Sequence, residues 1–341
     1  MRAIVVHEFG HYLTAANLEN LPIPTPGPGD VVVKQKACGV SFATSLTIAG
    51  KYQRKPPRPF SPVTESSGIV HAVGEGVTRV KVGDRVMCNV DSGGLSGFNL
   101  MDQVCCHVMP GGMSFAEGTA MVLSYTTSYG ALIRRAKLKA GEWLVVHGAA
   151  GAVGVAAVEI GKAIGAKVIA VAGGPAHCKT AKEHGADYVI DHREEDFREK
   201  VLEITDGYGA DVIYDSIGGE VMASSLRTLA WEGRILTIGY ASGTIPDIPA
   251  NRLLLKNASV MGFNLGHFFG WSPGCHRHDF VEELDEMVAG VFDLYRKGYL
   301  KPTIGASYPL HEFKEAMTAV LDRKVDGKCV VEFEEIDYQP L

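Results

Sequence analysis

Glu142-Trp143-Leu144-Val145-Val146-His147-Gly148-Ala149-Ala150-Gly151-Ala152-Val153-Gly154 is the stretch on which the fold turns. Its first six residues read as a short apolar strand. A glycine-rich turn follows, then a helix with Val153, Ala157, Ile160 and Ile164 on one face. Gly165 ends that helix, and Lys167-Val168-Ile169-Ala170-Val171 reads as the next strand. Helical patterns at 178–184 and 196–204 then alternate with strand patterns at 188–190, 211–215, 234–238 and 259–263. Alternation at this spacing predicts an α/β fold with a parallel, doubly wound sheet.

The turn between that first strand and helix suits a pyrophosphate. Glycines let the backbone approach closely, and a helix N-terminus offers N–H groups and a positive dipole end. Ala149 replaces the first glycine of GxGxxG, and many such turns carry glycines without a ligand. The strand–turn–helix–strand setting makes dinucleotide binding the expectation, through Ala150, Gly151, Ala152 and Val153. The second strand ends Val171-Ala172-Gly173-Gly174-Pro175, without the acid that receives a ribose 2′-hydroxyl in NAD sites. Its absence favours NADP. His177, Lys179, His192 and Arg193 are candidates to face the 2′-phosphate; the competing reading makes each a solvated surface residue. Ser216, Gly239, Tyr240 and Ala241 follow later strands, where a dinucleotide runs.

Outside this core the pattern changes. The first third is rich in β signals, including 31–37 and 67–90, and a stiff proline-rich connector spans 21–30. A helix is expected from Phe280 to Arg296, and 328–333 is β-like. Cys105 and Cys106 read as neighbours on a strand, facing opposite ways. A β-rich domain interrupted by the doubly wound one, with the tail returning to the first, is the simplest arrangement.

The 341 residues suggest two domains. Charge is 33 Lys+Arg against 39 Asp+Glu, a formal −6, so nothing suggests nucleic-acid binding. No segment is apolar enough for a bilayer, and His7 and Glu8 interrupt the apolar start too early for a signal peptide. Seven scattered cysteines read as free thiols, which makes a cytosolic protein the expectation.

An ordered set of short marks carries a family resemblance. They are Ala37-Cys38-Gly39-Val40, Gly50-Lys51-Tyr52, Gly74-Glu75-Gly76-Val77, Gly83-Asp84-Arg85-Val86 and 148–154. Val212-Ile213-Tyr214-Asp215-Ser216-Ile217-Gly218-Gly219, Gly233-Arg234, 251–257 and Gly327-Lys328 continue the series. Together they resemble the medium-chain dehydrogenase/reductase superfamily, in its zinc-independent NADPH:quinone oxidoreductase branch. The resemblance covers essentially the whole chain. It implies a GroES-like substrate and catalytic domain at 1–125, a Rossmann domain at 126–266, and a return to the first domain at 267–341. It also implies a cleft between the two, NADPH as cofactor, and a homodimer formed through Rossmann edge strands.

What the resemblance implies for the site follows residue by residue. Tyr52 faces the nicotinamide and is the first candidate proton donor, or else a half-buried aromatic at the cleft edge. Ser41 is the second. Thr127 lies near the nicotinamide ribose or carboxamide, and Phe263 and Leu265 approach the nicotinamide. Lys328 reaches the cofactor from the returning tail or is a surface lysine. Several positions depart from the family pattern: Ser41 for Asn, Thr44 for Asp, Val63 for Gly, His177 for Lys and His192 for Tyr. The zinc-dependent relatives' ligand positions carry Ser41, Thr64 and Leu123, which are not zinc donors, so no metal is expected. Cys275-His276-Arg277-His278 could bind a soft metal but reads as a loop before a helix. The expected activity is hydride transfer from NADPH to a small-molecule quinone or α,β-unsaturated carbonyl. The rival is a crystallin-like dinucleotide binder with little turnover, structural or redox-responsive.

Overall fold

A computed structural model describes residues 1–339. The chain divides into two compact units. One comprises Met1–Leu123, His267–Leu284 and the segment from Thr303 onward; the other comprises Ser124–Gly266 and Asp285–Pro302.

The second unit is built on the parallel sheet. Among its described residues six strands lie in the order Tyr188–Asp191, Lys167–Ala172, Trp143–His147, Ala210–Asp215, Leu229–Thr237 and Ser259–Gly262. In chain order this is 3-2-1-4-5-6, the doubly wound order that reverses beside the first strand. Val145 stands opposite both Ile169 and Ile213, so the central strand is buried on both sides. The helix Ala152–Ile164 packs closely over it. A Cβ at Gly161 would lie 2.5 Å from the Leu144 side chain, and left-handed Gly165 stops the helix.

The tail does not return whole to the first unit: 285–302 packs in the second. The helix Val281–Arg296 buries Met287, Val288, Val291 and Phe292. Its Met287 Sδ closes on Gly130, and Gly290 lies against Tyr129. Beyond the helix, the Lys301 amide donates to the buried Glu159 carboxylate, which also accepts from Tyr125 Oη and lies 2.6 Å from His184 Nδ1. An apolar stripe and one satisfied carboxylate thus hold this segment there.

The first unit is β-rich. Asp30–Val40 pairs with Glu65–Val73, with Phe98–Asp102 and with Lys328–Glu332, which brings the C-terminal region back beside residues 37–40. Cys105 and Cys106 do not share a strand. Asp102 accepts from the Val104 amide and caps a 3₁₀ turn, Gln103–Cys105, so that only Cys106 enters the strand Cys106–Val108. Both thiols are buried, as packing requires.

Candidate functional site

In the second unit the features cluster at the C-terminal ends of the strands. Gly148 is left-handed, and a Cβ there would lie 2.9 Å from Ser216 Oγ. A Cβ on Gly154 would collide with the Gly148 carbonyl oxygen, so this glycine lets helix and turn touch. Gly151 opens the helix without a side-chain cap, leaving the first turn of a 13-residue helix open to a ligand. Ala150 is buried beneath, and Ala152 and Val153 are half-buried. Ser128 Oγ donates to the Val153 carbonyl and meets Tyr214 Oη at 2.8 Å, which anchors the helical turn that carries half-buried Thr127.

Asp215 shapes the next turn. Its Oδ1 accepts from the Ile217 and Gly218 amides at 2.7 and 3.0 Å, while Oδ2 is buried without a partner. Burial raises this carboxyl's pKa. Ser216 Oγ donates to the His147 carbonyl, and the Ala241 amide donates to the Ser216 carbonyl. Tyr240 lies against Gly218. Ser216, Tyr240 and Ala241 are therefore gathered at one edge, with Gly239 beside them. Behind them His147 is buried, with Nε2 2.8 Å from Ser225 Oγ and its ring edge-on to Phe197. Burial first, and the charge of His192 second, push its pKa down to about 3.

A second turn, Gly173-Gly174, lies at the end of the neighbouring strand. A Cβ on Gly173 would meet His192 Nε2 at 2.6 Å and Arg193 Nε at 3.1 Å; one on Gly174 would meet the Arg193 guanidinium at 3.0 Å. Asp191 pins this arrangement, its Oδ1 accepting from the Gly174 and Arg193 amides at 2.9 and 3.0 Å. Those two bonds hold its carboxyl below the usual range. His177 lies in the first turn of the adjoining helix, Pro175–Glu183, whereas Lys179 pairs with Glu183 on its exposed face. Two glycine turns, an open helix N-terminus and a cation-lined second turn fit a phosphorylated dinucleotide. Phe263 packs its ring on Gly130 and is half-buried, and Leu265 is buried.

The first unit holds the remaining candidates. Ser41 begins the helix Phe42–Ile48, its amide donating to Thr44 Oγ1 and its hydroxyl 3.4 Å from the same oxygen. Tyr52 is half-buried; burial, then the Glu65 carboxylate, raise its pKa, so the phenol stays protonated. Lys328 is not a surface lysine. It forms a buried ion pair with Glu65, the two side chains being 3% and 2% exposed. A Cβ on Gly39 would be pressed between the two partners. Glu65 Oε2 is buried and unpartnered, and burial outweighs Lys328 in raising this carboxyl's pKa. Just before it, Val63 is left-handed at φ 77°, a conformation that strains a β-branched residue.

The positions of the zinc-dependent relatives' ligands carry no zinc donors in this chain. Ser41 caps a helix, Thr64 and Leu123 supply no zinc donor, and among the described residues no three His, Cys, Asp or Glu converge on one point. Cys275 Sγ lies 3.6 Å from His267 Nδ1, and His278 is taken by Asp102 at 2.8 Å.

Two family profiles match. "Alcohol dehydrogenase GroES-like domain" covers residues 27–121 and "Zinc-binding dehydrogenase" covers residues 152–289. A quinone oxidoreductase-like protein 2 homolog of Nematostella vectensis is 38% identical, over 97% of this chain and 88% of that protein. The Escherichia coli quinone oxidoreductase complexed with NADPH superposes with a TM-score of 0.86 at 29% identity, covering 97% of this chain and 100% of that one. The quinone oxidoreductase of Thermus thermophilus, solved also in complex with NADPH, gives 0.81 at 31% identity with the same coverages. The chain belongs to the medium-chain dehydrogenase/reductase superfamily, in its quinone oxidoreductase-like family, and is an oxidoreductase.

Sequence reading missed the Glu65–Lys328 pair, the pinning role of Asp191 and the buried Asp215. Gly39 and Gly327-Lys328 were visible as marks, but spacing alone does not bring residues 65 and 328 together.

Proposed function

We propose that the protein is an NADPH-dependent reductase of quinones or α,β-unsaturated carbonyls that works without zinc. The supporting observation is the doubly wound sheet with its two glycine turns, joined to hydroxyl and leucine side chains at the zinc positions. When bound, NADPH supplies the hydride. The residues 150–153 hold its pyrophosphate, Ser216, Gly239, Tyr240 and Ala241 line its path, and Arg193 with His192 and His177 receives the 2′-phosphate. Thr127 serves the nicotinamide end. Negative charge then develops on the acceptor oxygen, and Tyr52, kept protonated, donates to it, with Ser41 as second donor. Glu65, paired with Lys328, adds to burial in raising the Tyr52 pKa.

The test is loss of NADPH absorbance with 1,4-benzoquinone, 9,10-phenanthrenequinone and an aliphatic enone, before and after chelator treatment, with NADH in parallel. Turnover that survives the chelator is expected. Turnover that needs zinc, or no binding of either nucleotide at millimolar concentration, would overturn the reading. One observation favours the low-turnover alternative: Ser41 Oγ is turned to its own helix, toward Thr44. Tight NADPH binding with no oxidation across the panel would select that alternative.

The protein is further proposed to be a homodimer. The strand Ser259–Gly262 forms an open edge of its sheet, and Leu254 and Leu255 nearby are 81% and 67% exposed. Light scattering after gel filtration tests this, a monomeric mass being the contrary result. Seven unbridged cysteines support a reducing, cytosolic setting.

A further inference from the structure

We propose that residues 51–58 form a docking strip for the phosphate-bearing tail of a coenzyme-A-type carrier, and that the acceptor is an enoyl thioester. The proposal rests on the reductase reading and narrows its acceptor. Residues 51–58 carry four cations, Lys51, Arg54, Lys55 and Arg58, and no carboxylate, in a chain with a formal charge of −6. Tyr52, the proposed proton donor, lies on the same segment. Lys51 and Lys55 are exposed, and neither is ion-paired among the described residues.

The strip is built rather than loose. Arg54 Nη2 lies 3.1 Å from Asp91 Oδ2, Nη1 donates to the Asp91 carbonyl at 2.9 Å, and the guanidinium covers the Trp271 ring. Arg277 takes the other Asp91 oxygen at 3.0 Å and donates to the Asn89 carbonyl at 2.7 Å. Trp271 Nε1 donates to that same Asp91 oxygen at 2.6 Å. One carboxylate therefore fixes two guanidinium groups, and a positive charge is left over. Arg58 is also held, its guanidinium over the Phe9 ring. A neutral quinone gains little from a cation-rich segment, whereas a tail of phosphate esters is attracted to it. The thioester is itself an α,β-unsaturated carbonyl. Hydride adds at its β-carbon and the C=C pair moves toward the carbonyl oxygen. A proton from Tyr52 then ends on the α-carbon and the phenolate regains one from water, leaving the saturated thioester and NADP⁺.

The experiment compares kcat/KM of the NADPH-loaded enzyme for crotonyl-CoA and for crotonyl N-acetylcysteamine thioester, which shares the reacting group but lacks charge. Wild type and a Lys51→Glu/Lys55→Glu variant are compared, with the variant's melting temperature and NADPH affinity checking its fold. Calorimetry of crotonyl-CoA with the NADP⁺-loaded protein gives a readout independent of turnover. The charged thioester is expected to be preferred at least about tenfold. That ratio should collapse in the variant and at high salt, where charges are screened beyond a few ångströms. Equal kcat/KM for the two thioesters, or a preference that survives charge reversal, overturns the strip. Benzoquinone turnover without a coenzyme A preference sinks the strip and keeps the reductase. Charge-dependent crotonyl-CoA binding with no reduction of anything keeps the strip and sinks the reductase.

Discussion

His147 makes the stability of the nucleotide-binding unit depend on pH. Its imidazole is 2% exposed, and burial followed by the charge of His192 lowers its pKa from 6.5 to about 3. In the unfolded chain the ring takes a proton below about pH 6.5, whereas in the folded chain it stays neutral until about pH 3. The stability it contributes is therefore complete above about pH 6.5 and drains away as pH falls toward about 3. Between pH 7.5 and pH 5 the linkage amounts to about 2 kcal/mol. The assay is urea unfolding across that range, followed by fluorescence of Trp143 and Trp231, which lie in the same unit as His147. The comparison is His147→Gln, whose amide is neutral throughout. Carboxylates titrate in both proteins and cancel in the difference. Wild type should lose about 2 kcal/mol more than the variant on going to pH 5. Parallel stability curves would refute the claim that this ring is held neutral by its surroundings.

Three other outcomes are expected. Arg193→Gln should raise the Kd of NADPH by about ten- to a hundredfold, as loss of a charge-assisted phosphate contact does, and leave that of NADH within about twofold; equal effects on both would remove Arg193 from the 2′-phosphate. Gly154→Ala should weaken binding of either nucleotide at least about tenfold, because its Cβ meets fixed backbone, and unchanged dissociation constants by calorimetry would contradict the packing. Lys328→Met should destabilise the protein by about 3–5 kcal/mol by leaving Glu65 buried without its counter-charge, and Glu65→Gln in the same chain should recover most of that loss. Denaturant midpoints of the two single variants and the double variant check this, and additive losses would argue against coupling.

How much was visible in advance depended on how local the cause was. The strand at 143–147, the turn and the helix that follows are set by hydrophobic period and by glycines within a few residues, and they were legible. So was the absence of an acid after Ala172. The break between Cys105 and Cys106 was not, because a side-chain cap from Asp102 overrides the strand pattern. The placement of 285–302 depends on contacts with Tyr129, Gly130 and Glu159, over a hundred residues earlier in the chain. Lys328 was flagged without its partner for the same reason: the register Val330↔Gly39 brings it to Glu65, and no short-range pattern encodes that register.

That register also governs how the protein can be made. The chain passes between its two units four times, after Leu123, Gly266, Leu284 and Pro302. The nucleotide-binding unit lacks its packing helix until residue 302 has been synthesised, and the N-terminal sheet lacks an interior strand until residue 332. The part translated first is thus completed last, and the stretch 37–40, which waits for the C-terminal strand, must be kept from wrong pairings during most of elongation. A ribosome that stalls before Lys328 releases a chain in which Glu65 has no ammonium to meet, a product suited to proteolysis rather than to partial function.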